Sequence, residues 1–240
     1  MNILVTGCSR GVGLAICQVF LENGHNVYGV SRGYTEDFKL LEKHYPGRLF
    51  FKSMDLQNTE NIKGELFDNF ITNSIPLDCF VNNAATAYDD IITNIHSVDL
   101  ENMFRVNVFS PLIITKYAIR NMIFNRIKGS IIHISSISVH TGYKGLAMYA
   151  SSKGALEAFS KNTAREWGVK GIRSNVVVPG FMETEMSATL TAEQKTRIYN
   201  RTSLKEATKV DSVAATVLFL ADKGAHSITG QSIHVDAGTI

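Results

Sequence analysis

Tyr149 and Lys153 stand four residues apart in the run Met148-Tyr149-Ala150-Ser151-Ser152-Lys153. On a helix that spacing puts both side chains on one face, where they can meet over a common site. A free tyrosine titrates near ~10, so a phenol that exchanges protons at neutral pH needs a neighbouring ammonium to favour its phenolate. A bare Tyr-x-x-x-Lys occurs often by chance and is more commonly structural than chemical. What raises this one is the hydroxyl cluster Ser135-Ser136-Ile137-Ser138, at the end of an apolar run upstream.

A second signature lies near the N-terminus. Thr6-Gly7-Cys8-Ser9-Arg10-Gly11-Val12-Gly13 follows the short apolar run Ile3-Leu4-Val5 and opens a segment of helical periodicity. A turn between strand and helix must bring backbone close to a pyrophosphate, and any Cβ would obstruct it. The helix N-terminus then offers unpaired N–H groups and a partial positive charge to the phosphates. Glycine-rich turns are common, but the strand before and the helix after make this one a dinucleotide-binding turn.

The spacing is T-G-x-x-x-G-x-G, and with it the chain resembles the short-chain dehydrogenase/reductase family over essentially its whole length. Asn82-Asn83-Ala84-Ala85 is similar to the family's N-N-A-G, with Ala85 in place of glycine. Pro179-Gly180-x-Met182-x-Thr184 resembles the segment that lies against the nicotinamide carboxamide. Asp55-Leu56 resembles the adenine-contacting pair, and Ile228-Thr229-Gly230-Gln231 with Val235-Asp236-Ala237-Gly238 the C-terminal strand and turn. Ser136, thirteen residues before Tyr149, completes the family's serine–tyrosine–lysine set, and Asn107 matches its fourth member. The resemblance implies that Tyr149 gives its proton to a carbonyl oxygen under reduction while Ser136 donates a hydrogen bond to it. Lys153 would hold the ribose hydroxyls and favour the phenolate, and Asn107 would hold a water linking the lysine to solvent.

The residue pattern also selects the cofactor. An NAD-specific site carries a carboxylate about 20 residues beyond the glycines. Ser31-Arg32 stands there instead. A 2′-phosphate carries about −1.5 to −2 charges, which an arginine fork pairs with and an aspartate would repel. Arg32, with Arg10 in the glycine turn, therefore points to NADP(H).

Within the family the closest pattern is that of the 3-oxoacyl-[acyl-carrier-protein] reductases, carried by Thr6 to Gly13 and by Ile172 to Met186. That resemblance implies a 3-oxoacyl thioester substrate, an acyl carrier protein as partner, and a homotetramer with the helices around Asp99 to Ile123 and Tyr149 to Trp167 between subunits. Arg126, Lys128 and Lys170 fall near where the group places its basic docking residues, expected beside the site entrance. Ser203-Leu204-Lys205-Glu206-Ala207-Thr208 departs from the group's usual turn, which leaves other ketones or secondary alcohols open as substrates. A non-catalytic dinucleotide sensor is the alternative from another class, and it has no need of a proton donor.

These residues must be positioned by a frame that the hydropathy pattern supplies. Apolar runs at Ile3–Val5, Asn26–Val30, Arg48–Ser53, Cys79–Val81, Ser130–Ser135, Ser174–Val178 and Ser232–Val235 read as seven strands. Helical spacing falls at Leu14–Asn23, Asn58–Phe70, Asp99–Ile123, Tyr149–Trp167, Ala192–Tyr199 and Val210–Ala221. Such alternation predicts an α/β fold: a single Rossmann-type doubly wound, mostly parallel sheet over residues 1–240, with helices on both faces. The polar interval 181–209 is expected to be a substrate lid.

Composition narrows the class further. With 45% apolar and 19% charged residues in 240, the chain can bury a sizeable core. A formal charge of +2 gives no overall basic field for nucleic acid. Cys8, Cys17 and Cys79 lack C-x-x-C spacing and read as reduced thiols. No signal or membrane-spanning run is apparent, so a cytoplasmic location is expected. The seven histidines show no metal-ligand spacing.

Overall fold

A computed structural model describes residues 1–183 and 191–239. Seven strands form one sheet: β1 (Asn2–Thr6), β2 (Asn26–Ser31), β3 (Leu49–Ser53), β4 (Cys79–Asn82), β5 (Ser130–Ile134), β6 (Arg173–Pro179) and β7 (Ser232–Val235). Every neighbouring pair is parallel, in the order 3-2-1-4-5-6-7. The chain winds outward in both directions from β1 and β4, which opens a crevice at their C-terminal ends.

Side-chain alternation explains why both faces are covered. Ile3 and Val5 enter one core with α1 (Gly11–Glu22) and α8 (Val210–Ala221), while Leu4 between them enters the other. That second core takes Phe80, Ile131 and the inner face of α4 (Ser110–Phe124). On the same side α6 (Ala147–Trp167) lies over β5 and β6, where Ser160 Oγ meets Ser174 Oγ at 2.8 Å. The doubly wound parallel architecture expected from the sequence is the one observed.

Three elements differ from the periodicity reading. The segment read as a helix over 58–70 is a short 3₁₀ turn (Thr59–Asn61) followed by a π-helical stretch, Ile62–Asp68. Its wider winding brings Ile62, Leu66 and Phe67 onto the core together. The long helix expected over Asp99–Ile123 is broken into α3 (Ser97–Phe104), a π-helical turn at Arg105–Phe109, and α4. Pro111 cannot donate to the helical ladder, and the π turn sits immediately before it. Between β2 and β3 lies an unanticipated helix, α2 (Glu36–His44), which buries only Phe38. Thr35 caps it, with Glu36 and Asp37 in the first turn and Lys43 and His44 in the last, as the helix dipole favours. A short α5 (Ser138–Thr141) follows β5, and α7 (Ala192–Tyr199) falls where expected.

Candidate active site

The glycine turn leaves β1 and folds tightly onto the turn after β4. A Cβ on Gly13 would lie 1.9 Å from the Gly7 carbonyl oxygen, and one on Gly7 would lie 2.8 Å from Ala84 Cα. No larger residue fits at either place. Asn83 latches the two turns: its Nδ2 donates to the carbonyls of Thr6 and Gly7, each at 3.0 Å. In return Thr6 Oγ1 accepts from the backbone N–H groups of Asn83 and Ala84, each at 3.2 Å. A Cβ at Gly11 would meet no atom within 4 Å, so the turn is closed at its base and open at its tip. That hollow, at the N-terminus of α1 beside the partly buried Val12, fits a phosphate.

The flanking residues divide. Ser9 is buried and its carbonyl accepts from Thr35 Oγ1 at 2.5 Å, which ties α2 to the turn. Arg10, the N-cap of α1, and Arg32, just past β2, are exposed on the same rim. Asp55 Oδ1 accepts from Gln57 N at 3.0 Å, a turn-capping role, and Leu56 is buried in the second core. Pro179 ends β6, and its carbonyl accepts from Ile137 N at 2.9 Å, fastening the serine turn to that strand. At Gly180 a Cβ would lie 2.6 Å from Thr208 Oγ1 and 2.7 Å from Asp236 Cα. Met182 packs against the first core, and Thr184 lies outside the described residues.

Ser136, Tyr149, Lys153 and Asn107 gather where β4 and β5 end. Lys153 is 2% exposed, and its Nζ donates to the Ile134 carbonyl at 2.8 Å, two residues before Ser136. Burial pushes its ammonium down to about 8. Nζ stands 5.8 Å from the centre of the Tyr149 ring. The sequence leads one to expect an acidified phenol, but burial first and the Asp89 carboxylate second push Tyr149 up to about 12. The phenol therefore keeps its proton at neutral pH, with desolvation the larger cause of the shift.

Ser136 Oγ accepts from Ser138 N at 3.2 Å and from Ser138 Oγ at 2.9 Å. With both lone pairs engaged, its own O–H remains to be donated elsewhere. Asn107, fully buried on the π turn, accepts from Thr86 N and donates to Thr86 O, both at 2.9 Å. It also donates to Ser152 Oγ at 3.0 Å, which in turn donates to the Tyr149 carbonyl at 2.7 Å. Asn107 thus links the loop after β4 to the second turn of α6, instead of bonding its own helix.

Two findings lie outside the sequence reading. Glu157, buried one turn beyond Lys153 on α6, accepts from Ser135 Oγ at 2.6 Å. The run of polar residues at 149, 153 and 157 along one buried face was the available signal. His133, in the middle of β5, is pushed down to about 3 by burial and by Lys153, so it is neutral beside the lysine. One expectation is corrected: Arg126 and Lys128 precede β5 and Lys170 precedes β6, whereas Ser136 and Gly180 follow those parallel strands. The three cations therefore lie at the N-terminal ends of the strands, opposite the site entrance of the same chain.

A doubly wound parallel sheet with a glycine turn and a polar cluster at its switch point defines a dinucleotide-dependent class of protein. The chain belongs to the short-chain dehydrogenase/reductase family: a family model described as enoyl-(acyl carrier protein) reductase matches residues 7–239. The 3-oxoacyl-[acyl-carrier-protein] reductase FabG of Buchnera aphidicola subsp. Acyrthosiphon pisum is 33% identical, with 98% of this chain and 95% of that protein covered. The FabG of Chlamydia pneumoniae is 32% identical over 99% and 96%. Among solved structures, 4-hydroxyisoleucine dehydrogenase complexed with NADH superposes with a TM-score of 0.91 at 24% identity, covering 99% of this chain and 98% of that one. An Agrobacterium tumefaciens protein with bound NADP gives a TM-score of 0.91 at 22% identity, covering 99% and 95%. These two likenesses concern the fold. Among the described residues no helix is long and apolar enough to cross a membrane.

Proposed function

We propose that this chain is an NADPH-dependent carbonyl reductase that reduces 3-oxoacyl thioesters. The observation that carries the proposal is the serine turn. Ser136 accepts twice from Ser138 and keeps its own proton for an outside acceptor, beside the carbonyl that anchors Lys153. NADPH, when bound, supplies the hydride. Thr6 to Gly13, Asn83, Ala84, Pro179, Gly180 and Met182 would form its cradle, with Thr184, Asp55 and Leu56 in the family's positions. Arg10 and Arg32 would pair with its 2′-phosphate.

The chain's own groups then handle the proton and the developing charge. Tyr149, which holds its proton at neutral pH, gives it to the carbonyl oxygen as that oxygen becomes an alkoxide. Ser136 donates a hydrogen bond to the same oxygen. Lys153 would hold the ribose hydroxyls of the bound cofactor and stabilises the phenolate that Tyr149 leaves behind, while Asn107 fixes the backbone on both sides. Proton transfer of this kind typically gives about 10² to 10⁴ in rate.

The thioester assignment is supported by full-length relatives that are named 3-oxoacyl-[acyl-carrier-protein] reductases. A lid over 181–209, of which 184–190 lie outside the described residues, is supported by α7, which buries none of its side chains and is joined to Glu183, which accepts from Tyr199 and pairs with Lys195 at 3.5 Å. The homotetramer is supported by apolar side chains left exposed on α3 and beside α4, including Val98 and Phe109. A second reading, another ketone or secondary alcohol, rests on the departing segment Ser203–Thr208, which is pinned to the C-terminal turn through Ser203 N and Gly238 O at 2.9 Å.

The test is NADPH oxidation with acetoacetyl thioester against a panel of simple ketones and sugars. Thioester turnover is expected to exceed the panel, and Tyr149→Phe to abolish it while leaving NADPH binding within about twofold. Preference for a sugar or a simple ketone would replace the substrate. Tight NADPH binding with no turnover of any compound would leave a sensor.

A further inference from the structure

Glu157 has no place in the proton and hydride chemistry, yet it holds three groups around the site. It lies on α6 four residues beyond Lys153 and eight beyond Tyr149, on the face turned toward the sheet, and is 8% exposed. Its Oε1 accepts from Ser135 Oγ at 2.6 Å and meets His140 Nε2 at 3.1 Å. Its Oε2 accepts from Ser232 Oγ at 3.3 Å. Ser135 immediately precedes Ser136, His140 lies on α5 just after it, and Ser232 begins β7. A single buried carboxyl therefore fastens both sides of the Ser136 turn to the helix that carries Tyr149 and Lys153.

We infer that Glu157 is a positioning residue for Ser136, acting through Ser135 and His140. This rests on the reductase reading above for its kinetic consequence, although not for its structural one. The physical argument is that the Ser136 hydroxyl must be held to within a few tenths of an ångström of the place from which it can hydrogen-bond the reacting oxygen. The backbone of its turn is held to β6 by Ser135 N on the Val177 carbonyl at 2.8 Å and Ile137 N on the Pro179 carbonyl at 2.9 Å, and within itself by the Ser138 bonds and the first bonds of α5; neither β6 bond reaches α6. A carboxyl that accepts from a residue on each side of the serine removes the remaining freedom of that loop. Hydrogen bonds to such a group are among the stronger ones. The His140 ring also stands against His234, with ring centres 4.6 Å apart, so the clamp is wedged from the β7 side as well.

Three variants and two readouts test it. Glu157→Leu keeps the volume and removes the acceptor; Glu157→Gln keeps one acceptor for Ser135; Ser135→Ala removes one donor. Glu157→Leu should lower kcat about tenfold or more for acetoacetyl thioester with NADPH KM within about twofold. Glu157→Gln should recover most of that loss, and Glu157→Leu combined with Ser135→Ala should be no slower than Glu157→Leu alone. Amide hydrogen exchange of the intact protein should show faster exchange at 135–141 in Glu157→Leu, with α1 and β1 unchanged. Unchanged kcat in the folded variant, or multiplicative losses in the double variant, would overturn the inference. If the wild type turns over no thioester, the reductase reading fails by itself, and the exchange at 135–141 still decides: unaltered protection refutes the clamp.

Discussion

Replacing Lys153 by Met should destroy the activity and stabilise the protein. The side chain is 2% exposed, and burial lowers its pKa from 10.5 to about 8. At 1.36 kcal/mol per pH unit, holding the ammonium in that place costs about 3 kcal/mol at any pH below 8. Methionine removes that cost and fills a similar volume. It also forfeits the bond to the Ile134 carbonyl, worth about 1 kcal/mol. The variant should therefore gain about 2 kcal/mol at pH 7, or roughly 4–8 °C in Tm for a domain of this size. Between pH 8 and 10.5 the unfolded chain still holds the lysine proton while the folded one has released it, so raising the pH favours the wild-type fold. The gain should shrink across that window and reverse by about pH 10.5, where only the lost hydrogen bond remains. Thermal melts of both proteins from pH 6 to 11 give the curve. A wild type more stable than the variant at pH 7, or a Tm difference flat across pH, would refute the reasoning.

Other perturbations read other parts of the site. Gly13→Ala would place a Cβ 1.9 Å from the Gly7 carbonyl, and the backbone must move; NADPH affinity by fluorescence titration should fall by about 100-fold or more. Arg32→Ala should weaken NADPH about 10-fold to 100-fold in the same titration and leave NADH within about twofold, since only the 2′-phosphate distinguishes them. For reduction, kcat should stay level from pH 6 to about 8 and then fall as Lys153 loses its charge, with no second step from Tyr149 until about 12; a fall centred near 10 would mean an unperturbed lysine.

What the sequence discloses here is what depends on short spacing. Ile3-Leu4-Val5 alternates between the two cores because neighbouring strand residues face opposite ways, and that is visible in three letters. Tyr149 and Lys153 share a face because four residues make one helical turn. The Asn83 latch on Thr6 is of another kind, since it joins residues 77 positions apart and depends on β1 and β4 being neighbours. The break in the long central helix was hidden as well, because its apolar periodicity continues through Arg105–Phe109 while the backbone widens. Nor could the direction of the Tyr149 shift be read from its lysine partner. Burial is a sum over every element packed around the ring, and Asp89 comes from a loop sixty positions earlier.

The displaced cations show how strand direction governs function in this fold. Arg126 and Lys128 sit within ten residues of Ser136, and the resemblance to the 3-oxoacyl reductases placed them, with Lys170, beside the site entrance. Between them runs β5, five residues at about 3.3 Å each, so they are separated by roughly 16 Å along the strand. Every strand here points the same way, so a residue just before a strand lies at the end of the sheet away from the crevice and one just after it lies at the crevice end. Thr6 to Gly13, Asn83 and Ala84, Ser136, and Gly180 all come at or after strand ends, and they converge. Lys170, before β6, is excluded by the same rule, although Lys128 packs beside it against Gly171. For a parallel sheet, then, the order of a charged residue and its strand carries more functional information than the distance between that residue and the active serine.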